Sequence, residues 1–185
     1  MMTEQLPLGA PFPGFSGLKG VDGKVHNAEE YAASRILVVV FSCNHCPYVQ
    51  AYEKRMVALQ NSYGSRGVQL VAINSNDTLN YPDDDYEGMV RRAGQEGLTF
   101  PYLRDEDQSV AEAFHASHTP EFFVFAAKPG MDRKVLVYHG KMDDNYQDPQ
   151  RVKERYLQDA VDAVLAGRPV KIGETHSIGC TIKWR

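Results

Sequence analysis

Two continuous apolar runs separated by one amphipathic segment constrain the fold of this chain most strongly. The first run, ILVVVF at residues 36–41, and the second, GVQLVAIN at residues 67–74, lack the polar alternation of a half-exposed strand. Between them, apolar side chains recur at helical spacing on one face, at Val49, Tyr52, Met56, Leu59 and Tyr63. Because a helical crossover joins parallel strands, we expect a buried parallel strand pair in an α/β fold.

Later segments are predicted to extend this sheet and to cover it. LKGVDGKVH at residues 18–26 contains an Asp-Gly turn and predicts a β-hairpin ahead of the main fold. Two β-rich segments, residues 120–127 and 134–140, predict an antiparallel hairpin near the end. Residues 150–167 predict a final helix that stops at its terminal glycine.

The length of 185 residues suits one domain with a sizeable core. We therefore predict a single three-layer α/β/α domain over residues 1–185, built around a mixed central sheet. Residues 1–30 form an N-terminal extension that carries the hairpin, and residues 168–185 form a polar C-terminal tail. The only tryptophan, Trp184, lies in that tail and favours an ordered tail packed on the domain.

The charge of the chain excludes two classes of partner. A formal net charge of −4 leaves no basic surface for nucleic acid or for anionic membranes. The first residues lack the cationic start and apolar core of a signal peptide, and no apolar run approaches the ~20 residues of a membrane span. We therefore expect a cytoplasmic protein, where a pair of nearby cysteines is more often catalytic or metal-binding than structural.

The motif FSCNHCPY at residues 41–48 places two of the three cysteines, Cys43 and Cys46, where a buried strand gives way to a helix. The free N–H groups and positive end of a helix stabilise a thiolate, which is the attacking species in disulfide exchange. Pro47 suits the first helical turn, where its missing N–H is no loss. We predict a redox pair in which Cys43, nearer the helix tip, attacks and Cys46 resolves.

Other interpretations of the cysteines are weaker. Two cysteines can serve as small buried hydrophobic residues, but this spacing at this junction is unusual for that role. A structural zinc site normally needs four ligands, and the only further cysteine is Cys180. Cys180 is either a free thiol near the terminus, which we favour, or a distal resolving thiol if the tail folds back across the sheet.

Several segments together resemble one known group of proteins: FSCNHCPYVQAYE, VQLVAINSND, FPYLRDEDQSVAEAF, HTPEFFVF and SIGCTIKWR. They are similar to thioredoxin-fold, peroxiredoxin-like or thiol–disulfide-oxidoreductase-like bacterial proteins of the alkyl hydroperoxide reductase/thiol-specific antioxidant superfamily, and the similarity covers nearly the whole chain. The resemblance implies a thioredoxin fold and a redox-active disulfide with no further cofactor. It implies protein or small-molecule thiols and disulfides as partners, with a thioredoxin-type reductant.

The resemblance also implies roles at matching positions. Cys43 and Cys46 match the redox pair of the group. Thr119–Pro120 matches a loop whose proline is cis and packs beside the disulfide, leaving the backbone of Thr119 free to pair with a substrate strand. His45 precedes the second cysteine, as in periplasmic disulfide oxidases, where an imidazolium raises the reduction potential; the alternative is a solvated loop histidine.

Three departures from the thioredoxin pattern concern the active-site loop and the strand before it. Ser42 stands where thioredoxin has an aromatic residue, and Asn44–His45 replaces Gly-Pro. Asn44, His45 and Pro47 are therefore the residues expected to shape this site. Residues 37–40 of the first buried strand offer no carboxylate, so Cys46 has no evident proton acceptor on that strand.

Two rival functions share this fold. Peroxiredoxins carry a Pro-x-x-x-Thr-x-x-Cys motif, and aligning Cys46 with its cysteine puts Cys43 at the threonine and Val39 at the proline. The groups that activate peroxide are therefore missing from the sequence. Sco-type copper proteins use CxxxC and a distant histidine; here Cys43, Cys46 and His118 would be the ligands.

The acidic run before the second predicted helix and four of the histidines are predicted to have structural rather than catalytic roles. The acidic run at residues 83–85 is interpreted as a solvated loop before a helix, where negative charge suits the helix dipole. Four histidines are interpreted as surface or capping residues without an assigned role: His26, His115, His139 and His176.

Overall fold

A computed structural model describes residues 4–185 and places a mixed seven-stranded sheet at the centre of the chain. The strands are β1 (Leu18–Gly20), β2 (Val25–His26), β3 (Ile36–Phe41), β4 (Val68–Asn74), β5 (Tyr102–Arg104), β6 (His118–Thr119), β7 (Glu121–Ala127), β8 (Lys134–Gly140) and β9 (Cys180–Thr181). The α-helices are α1 (Pro47–Tyr63), α2 (Tyr86–Glu96), α3 (Ser109–Phe114) and α4 (Tyr156–Leu165). Within this range, the helices are all too short or too polar to cross a bilayer.

The strand order of the main sheet is β2-β1-β5-β4-β3-β7-β8. Strands β3 and β4 are parallel and joined through α1, which confirms the predicted crossover. The β1–β2 and β7–β8 hairpins are antiparallel, as expected from their turns. This is the predicted mixed sheet of a thioredoxin-like α/β fold, and β6 and β9 form a separate two-stranded ribbon beside it.

Alternate side chains of β3 enter two separate cores, because successive residues of a strand face opposite sides of the sheet. Val38 and Val40 pack against α1, α2 and α4. Val39 and Phe41 pack against α3 and the N-terminal segment. Each such buried side chain contributes about 1.5–3 kcal/mol relative to an exposed one. The end of β3 is therefore a rigid base for the loop that carries the first two cysteines.

The last helix is shorter than predicted. It begins at Tyr156 rather than at residue 150, because a short 3₁₀ turn at Pro149–Arg151 precedes it and the chain from Val152 is extended. The side chain of Asp148 accepts a hydrogen bond from the Gln150 N–H at 2.9 Å and so caps the 3₁₀ turn instead. Gly167 ends the helix as expected, with a φ of +69° that favours glycine.

The C-terminal tail is ordered and folds back across the domain, as the sequence predicts for an ordered tail. Its strand β9 pairs antiparallel with β6, so that Cys180 lies opposite Thr119. Ile182 is buried in the core formed by α3 and the N-terminal segment. The tail therefore brings the third cysteine to the loop that precedes β7.

Candidate active site: three cysteines at the start of α1

The loop that follows β3 leads directly into α1, and Cys46 is the residue that caps this helix. Cys46 has extended backbone angles, with a φ of −75° and a ψ of 124°, and Pro47 occupies the first helical position. The Cys46 side chain makes no capping hydrogen bond to the first turn, so the helix acts on its sulfur through the positive end of α1. That sulfur therefore lies at the positive end of α1, whereas Cys43 lies three residues earlier, outside the helix.

The three cysteine side chains converge on Thr119. The Cys46 Sγ lies 2.9 Å from the Cys180 Sγ and 3.4 Å from the carbonyl oxygen of Thr119. The Cys43 Sγ lies 3.5 Å from the hydroxyl oxygen of Thr119. Cys43 is 4% exposed and Cys46 is 3% exposed, while Cys180 is partly exposed. Cys43 and Cys46 thus both lie beside Thr119, Cys46 also contacts Cys180, and Cys180 lies closest to solvent.

The electrostatics of the cluster place the negative charge on Cys46. The neighbouring Cys43 thiol, and less strongly the Cys180 thiol and nearby backbone N–H groups, lower the pKa of Cys46 to about 4 against the opposing effect of burial. The proximity of Cys46, together with burial and the charge of Asp84, raises the pKa of Cys43 far above its usual range. Burial, and then the bond to Cys46, raises the pKa of Cys180 to about 11.

This distribution differs from the prediction that Cys43 is the thiolate and Cys46 the resolving thiol. The prediction assumed that Cys43 lies nearer the helix tip, with Cys46 one turn deeper. The helix begins at Pro47, so Cys46 takes the capping position and Cys43 lies behind it. The geometry therefore favours Cys46 as the attacking sulfur.

A titration of the reduced protein tests this distribution. Because the pKa of Cys46 is lowered, the ultraviolet thiolate absorbance should persist at neutral pH and disappear only as the pH falls through about 4. Cys46→Ser should lack this transition, since burial still opposes ionisation of the Cys43 and Cys180 thiols. A thiolate signal that is lost near the ordinary thiol pKa of ~8.5 would contradict the assignment.

The peptide bond between Thr119 and Pro120 is cis, as the resemblance implied. The expectation that the Thr119 backbone is free for a substrate strand is wrong, because β9 of the tail already pairs with it. The carbonyl of the preceding Ser117 accepts a hydrogen bond from the Ile182 N–H at 2.9 Å. The substrate groove predicted from sequence is therefore occupied by the protein's own C-terminal strand.

Asn44 and His45, the two residues between the first cysteines, are held by contacts away from the sulfurs. The Asn44 N–H donates to Asp84 Oδ1 at 2.7 Å, and the Tyr102 hydroxyl donates to Asn44 Oδ1 at 2.8 Å. The His45 side chain is half exposed, with its Nδ1 3.5 Å from Asp84 Oδ2. His45 thus faces a carboxylate, and no hydrogen bond links it to either thiol within residues 4–185.

Asp84 is a site residue that the sequence analysis missed. It is completely buried and accepts further hydrogen bonds from the side-chain amides of Asn74 and Asn76, at 3.3 and 2.9 Å. The interpretation of residues 83–85 as solvated is therefore wrong for Asp84, although Asp85 caps α2 through the Gly88 N–H as expected. A buried carboxylate does lie near the cysteines, but it comes from a loop rather than from β3.

A second buried carboxylate was also missed. Glu121 follows the cis proline, and its Oε1 lies 2.7 Å from Nε2 of His139. Its Oε2 accepts hydrogen bonds from the backbone N–H groups of Ser117 and His118, at 2.7 and 3.1 Å. The surface interpretation is therefore wrong for His139, and it is wrong for His26, which is also buried. Glu121 fixes the backbone of the loop that carries Thr119.

The three ligands of the copper-binding alternative, Cys43, Cys46 and His118, do not surround a common point. Within residues 4–185, no group of three or more His, Cys, Asp or Glu side chains is arranged to hold a metal ion. The Nδ1 of His118, the candidate third ligand, lies 2.8 Å from the Ser117 hydroxyl oxygen. His118 therefore does not join the two thiols around a common centre.

Structural neighbours share this fold. A hypothetical protein from Sinorhizobium meliloti 1021 is 36% identical, with a TM-score of 0.88 over 98% of this chain and 97% of that chain. An uncharacterized conserved protein from Geobacillus kaustophilus is 41% identical, with a TM-score of 0.89 over 98% and 94%. More distant are a putative thiol:disulfide interchange protein from Chlorobium tepidum (20%, TM-score 0.67, 87% and 99%) and a peroxidoxin from Mycobacterium tuberculosis (13%, TM-score 0.62, 88% and 96%).

Sequence comparison adds the family. No curated protein matches the chain significantly. The family model described as Redoxin matches residues 7–144, which include β3, Cys43, Cys46 and the cis-proline loop. The predicted resemblance to thioredoxin-like and peroxiredoxin-like proteins is thereby confirmed at the level of family and fold. With its family model matched over most of its length, the chain belongs to the Redoxin family.

Proposed function

We propose that this protein is a thiol–disulfide oxidoreductase that uses Cys43 and Cys46 as its redox pair, with no organic cofactor and no metal. The observation that carries the proposal is the sulfur of Cys46, at the N-terminal cap of α1, which contacts Thr119 together with the sulfur of Cys43. Its partners would be protein or small-molecule thiols and disulfides, with a thioredoxin-type reductant, in the cytoplasm. Family membership supports oxidoreductase chemistry in general.

The reaction begins with the Cys46 thiolate. It attacks one sulfur of a substrate disulfide, forms a mixed disulfide and releases the other substrate sulfur as a thiol after protonation. Once Cys46 is covalently bound, its negative charge is gone, and so is the main cause of the raised pKa of Cys43. Cys43 then attacks Cys46, its proton passes to the departing substrate sulfur, and the pair holds a disulfide. Two electrons have moved from the protein to the substrate.

Access to this pair is restricted on the side of the tail. Both thiols are almost fully buried, and β9 covers the Thr119 backbone. Tyr48 lies beside the cluster, with its ring centroid 4.5 Å from that of Tyr146 in a tilted arrangement. Its pKa is raised by Tyr146 and, less strongly, by the charges of Cys180 and Cys46. A substrate therefore meets the cluster at the partly exposed surface formed by Cys180 and Tyr48.

A redox titration tests the proposal. The purified protein is equilibrated in buffers of reduced and oxidised glutathione, and its free thiols are labelled and counted by intact mass. We expect two thiols to disappear together in one reversible two-electron transition, because the two sulfurs oxidise as a pair. The transition should be absent when both Cys43 and Cys46 are replaced by serine.

The same preparation distinguishes peroxide chemistry. We expect no catalysed consumption of hydrogen peroxide with thioredoxin as reductant, because the Thr119 hydroxyl is bonded to Cys43 rather than to the Cys46 sulfur. Rapid peroxide consumption, combined with the absence of the two-thiol redox transition, would contradict the proposed function and indicate a peroxidase instead.

A further inference from the structure

We infer, on the basis of the proposed function, that Cys180 is a third redox thiol that exchanges with the Cys43–Cys46 disulfide to form a Cys46–Cys180 disulfide. The inference goes beyond a two-cysteine site: it gives the C-terminal tail a chemical role and makes Cys46 the sulfur common to two alternative disulfides. The Cys180 sulfur of the tail would form with Cys46 the disulfide that a substrate sulfur would otherwise form.

The first support is the position of Cys180. Its sulfur lies 2.9 Å from the Cys46 Sγ, and its backbone lies opposite Thr119 in the antiparallel β6–β9 ribbon. The carbonyl oxygen of that same Thr119 lies 3.4 Å from the Cys46 Sγ. Strand β9 thus occupies the edge beside the cis proline where a substrate strand was expected, and it directs its cysteine at the capping sulfur.

The second support is the rigidity with which the tail is held. The Lys183 N–H donates to Asn76 Oδ1 at 2.9 Å, and the Lys183 carbonyl accepts from Gln108 Nε2 at 2.9 Å. Before Cys180, Gly179 packs so closely that a Cβ there would overlap the Thr119 carbonyl oxygen. Because both flanks are fixed, little conformational freedom is lost when Cys180 reacts.

The exchange needs no outside oxidant, because it rearranges the Cys43–Cys46 disulfide that the reaction with the substrate has already produced. The Cys180 sulfur, losing its proton, attacks Cys46; the bond between Cys43 and Cys46 breaks, and the proton passes to the Cys43 sulfur. In the oxidised pair Cys46 carries no negative charge, so one cause of the raised pKa of Cys180 is removed. The number of disulfides and the electron count stay unchanged.

The third support is exposure. Cys43 and Cys46 are buried, whereas Cys180 is partly exposed. A thiol reductant from solvent can therefore reach the Cys180 side of a Cys46–Cys180 disulfide. Cys46 then leaves as a thiolate, and a thiol of low pKa is the better leaving group. Cys180 would connect the buried pair to its reductant.

The test uses the full-length Cys43→Ser variant treated with oxidised glutathione. Cleavage under non-reducing conditions and peptide mass mapping should find a Cys46–Cys180 link in nearly every molecule. The matched control is Cys43→Ser/Cys180→Ser/Thr181→Cys, which moves the sulfur one residue along β9 to the opposite face of the strand. It should retain glutathione on Cys46 and show almost no internal link.

A Cys180→Ser variant separates failure of this inference from failure of the proposed function. A Cys43–Cys46 disulfide in Cys180→Ser, combined with no Cys46–Cys180 link in Cys43→Ser, would overturn the role of Cys180 alone. Absence of any internal disulfide in wild type, Cys180→Ser and Cys43→Ser would overturn both. An equal link in the Thr181→Cys control would also refute the inference, because the tail would then be too mobile to select one thiol.

Discussion

Replacing Cys46 by serine is expected to reduce disulfide exchange to the rate given by ordinary small-molecule thiols. The substitution removes the one sulfur whose pKa is lowered, to about 4, and leaves two thiols whose ionisation burial opposes. It also removes the sulfur shared by the Cys43–Cys46 and Cys46–Cys180 pairs, so neither disulfide can form. Reduction of oxidised glutathione, followed over many turnovers with an excess of dithiol, measures the loss.

Cys43→Ser is the matched comparison, because it removes one thiol of the same loop with the same change in volume. It should retain the attacking sulfur and react in a single burst, releasing about two equivalents of glutathione for each protein molecule as the Cys46–Cys180 disulfide forms. The two variants should keep the urea midpoint of the wild type. If Cys46→Ser gives the single burst and Cys43→Ser is inert, then Cys43 is the attacking sulfur, as the sequence alone had suggested.

The central part of the fold follows from local patterns. A strand buried on both faces has to be apolar throughout, and ILVVVF satisfies this condition over all six residues of β3. A helix with one apolar stripe has to pack on a sheet, and all five residues of the predicted stripe of α1 are buried. These signals lie within a few residues of each other, so one sequence contains enough information to find them.

The charged partners of the site could not be found in this way. Asp84 reaches the backbone of Asn44 across forty positions, and Glu121 meets His139 across eighteen. Asp84 lies in a stretch that is typical of a loop before a helix, and Glu121 lies in a stretch that is typical of a strand. Only the folded chain brings each carboxylate to a buried hydrogen-bond donor. A buried carboxylate has no sequence pattern of its own when its donors are backbone N–H groups from elsewhere in the chain.

The assignment of roles to the two cysteines depends on where α1 begins. Whether Cys43 or Cys46 caps α1 decides which sulfur the helix N–H groups stabilise, and helix boundaries are the least certain part of a sequence-based prediction. The tail adds a second reason. Its pairing with Thr119 is a contact over sixty-one positions, the separation of Thr119 and Cys180, and hydrophobic periodicity cannot reveal it.

Replacing Glu121 by alanine is expected to lower the free energy of unfolding by about 3–5 kcal/mol. The carboxylate is 1% exposed and accepts two backbone hydrogen bonds, from Ser117 and His118, in addition to its contact with His139. Alanine would leave these three donors or acceptors buried without their partner. Urea unfolding measures the change, and an unaltered slope of the unfolding free energy against urea concentration would show that stability alone has changed.

Two further variants decide whether this loss comes from the hydrogen bonds of Glu121. Glu121→Gln keeps an oxygen for the two backbone N–H groups and should cost only about 1–2 kcal/mol. Glu154→Ala, at an exposed position, should change the free energy of unfolding by less than about 0.5 kcal/mol. Equal losses for alanine and glutamine at position 121 would mean that charge, rather than acceptance from the backbone, holds the loop. In that case the position of Thr119 would depend on the charge of Glu121 beside His139.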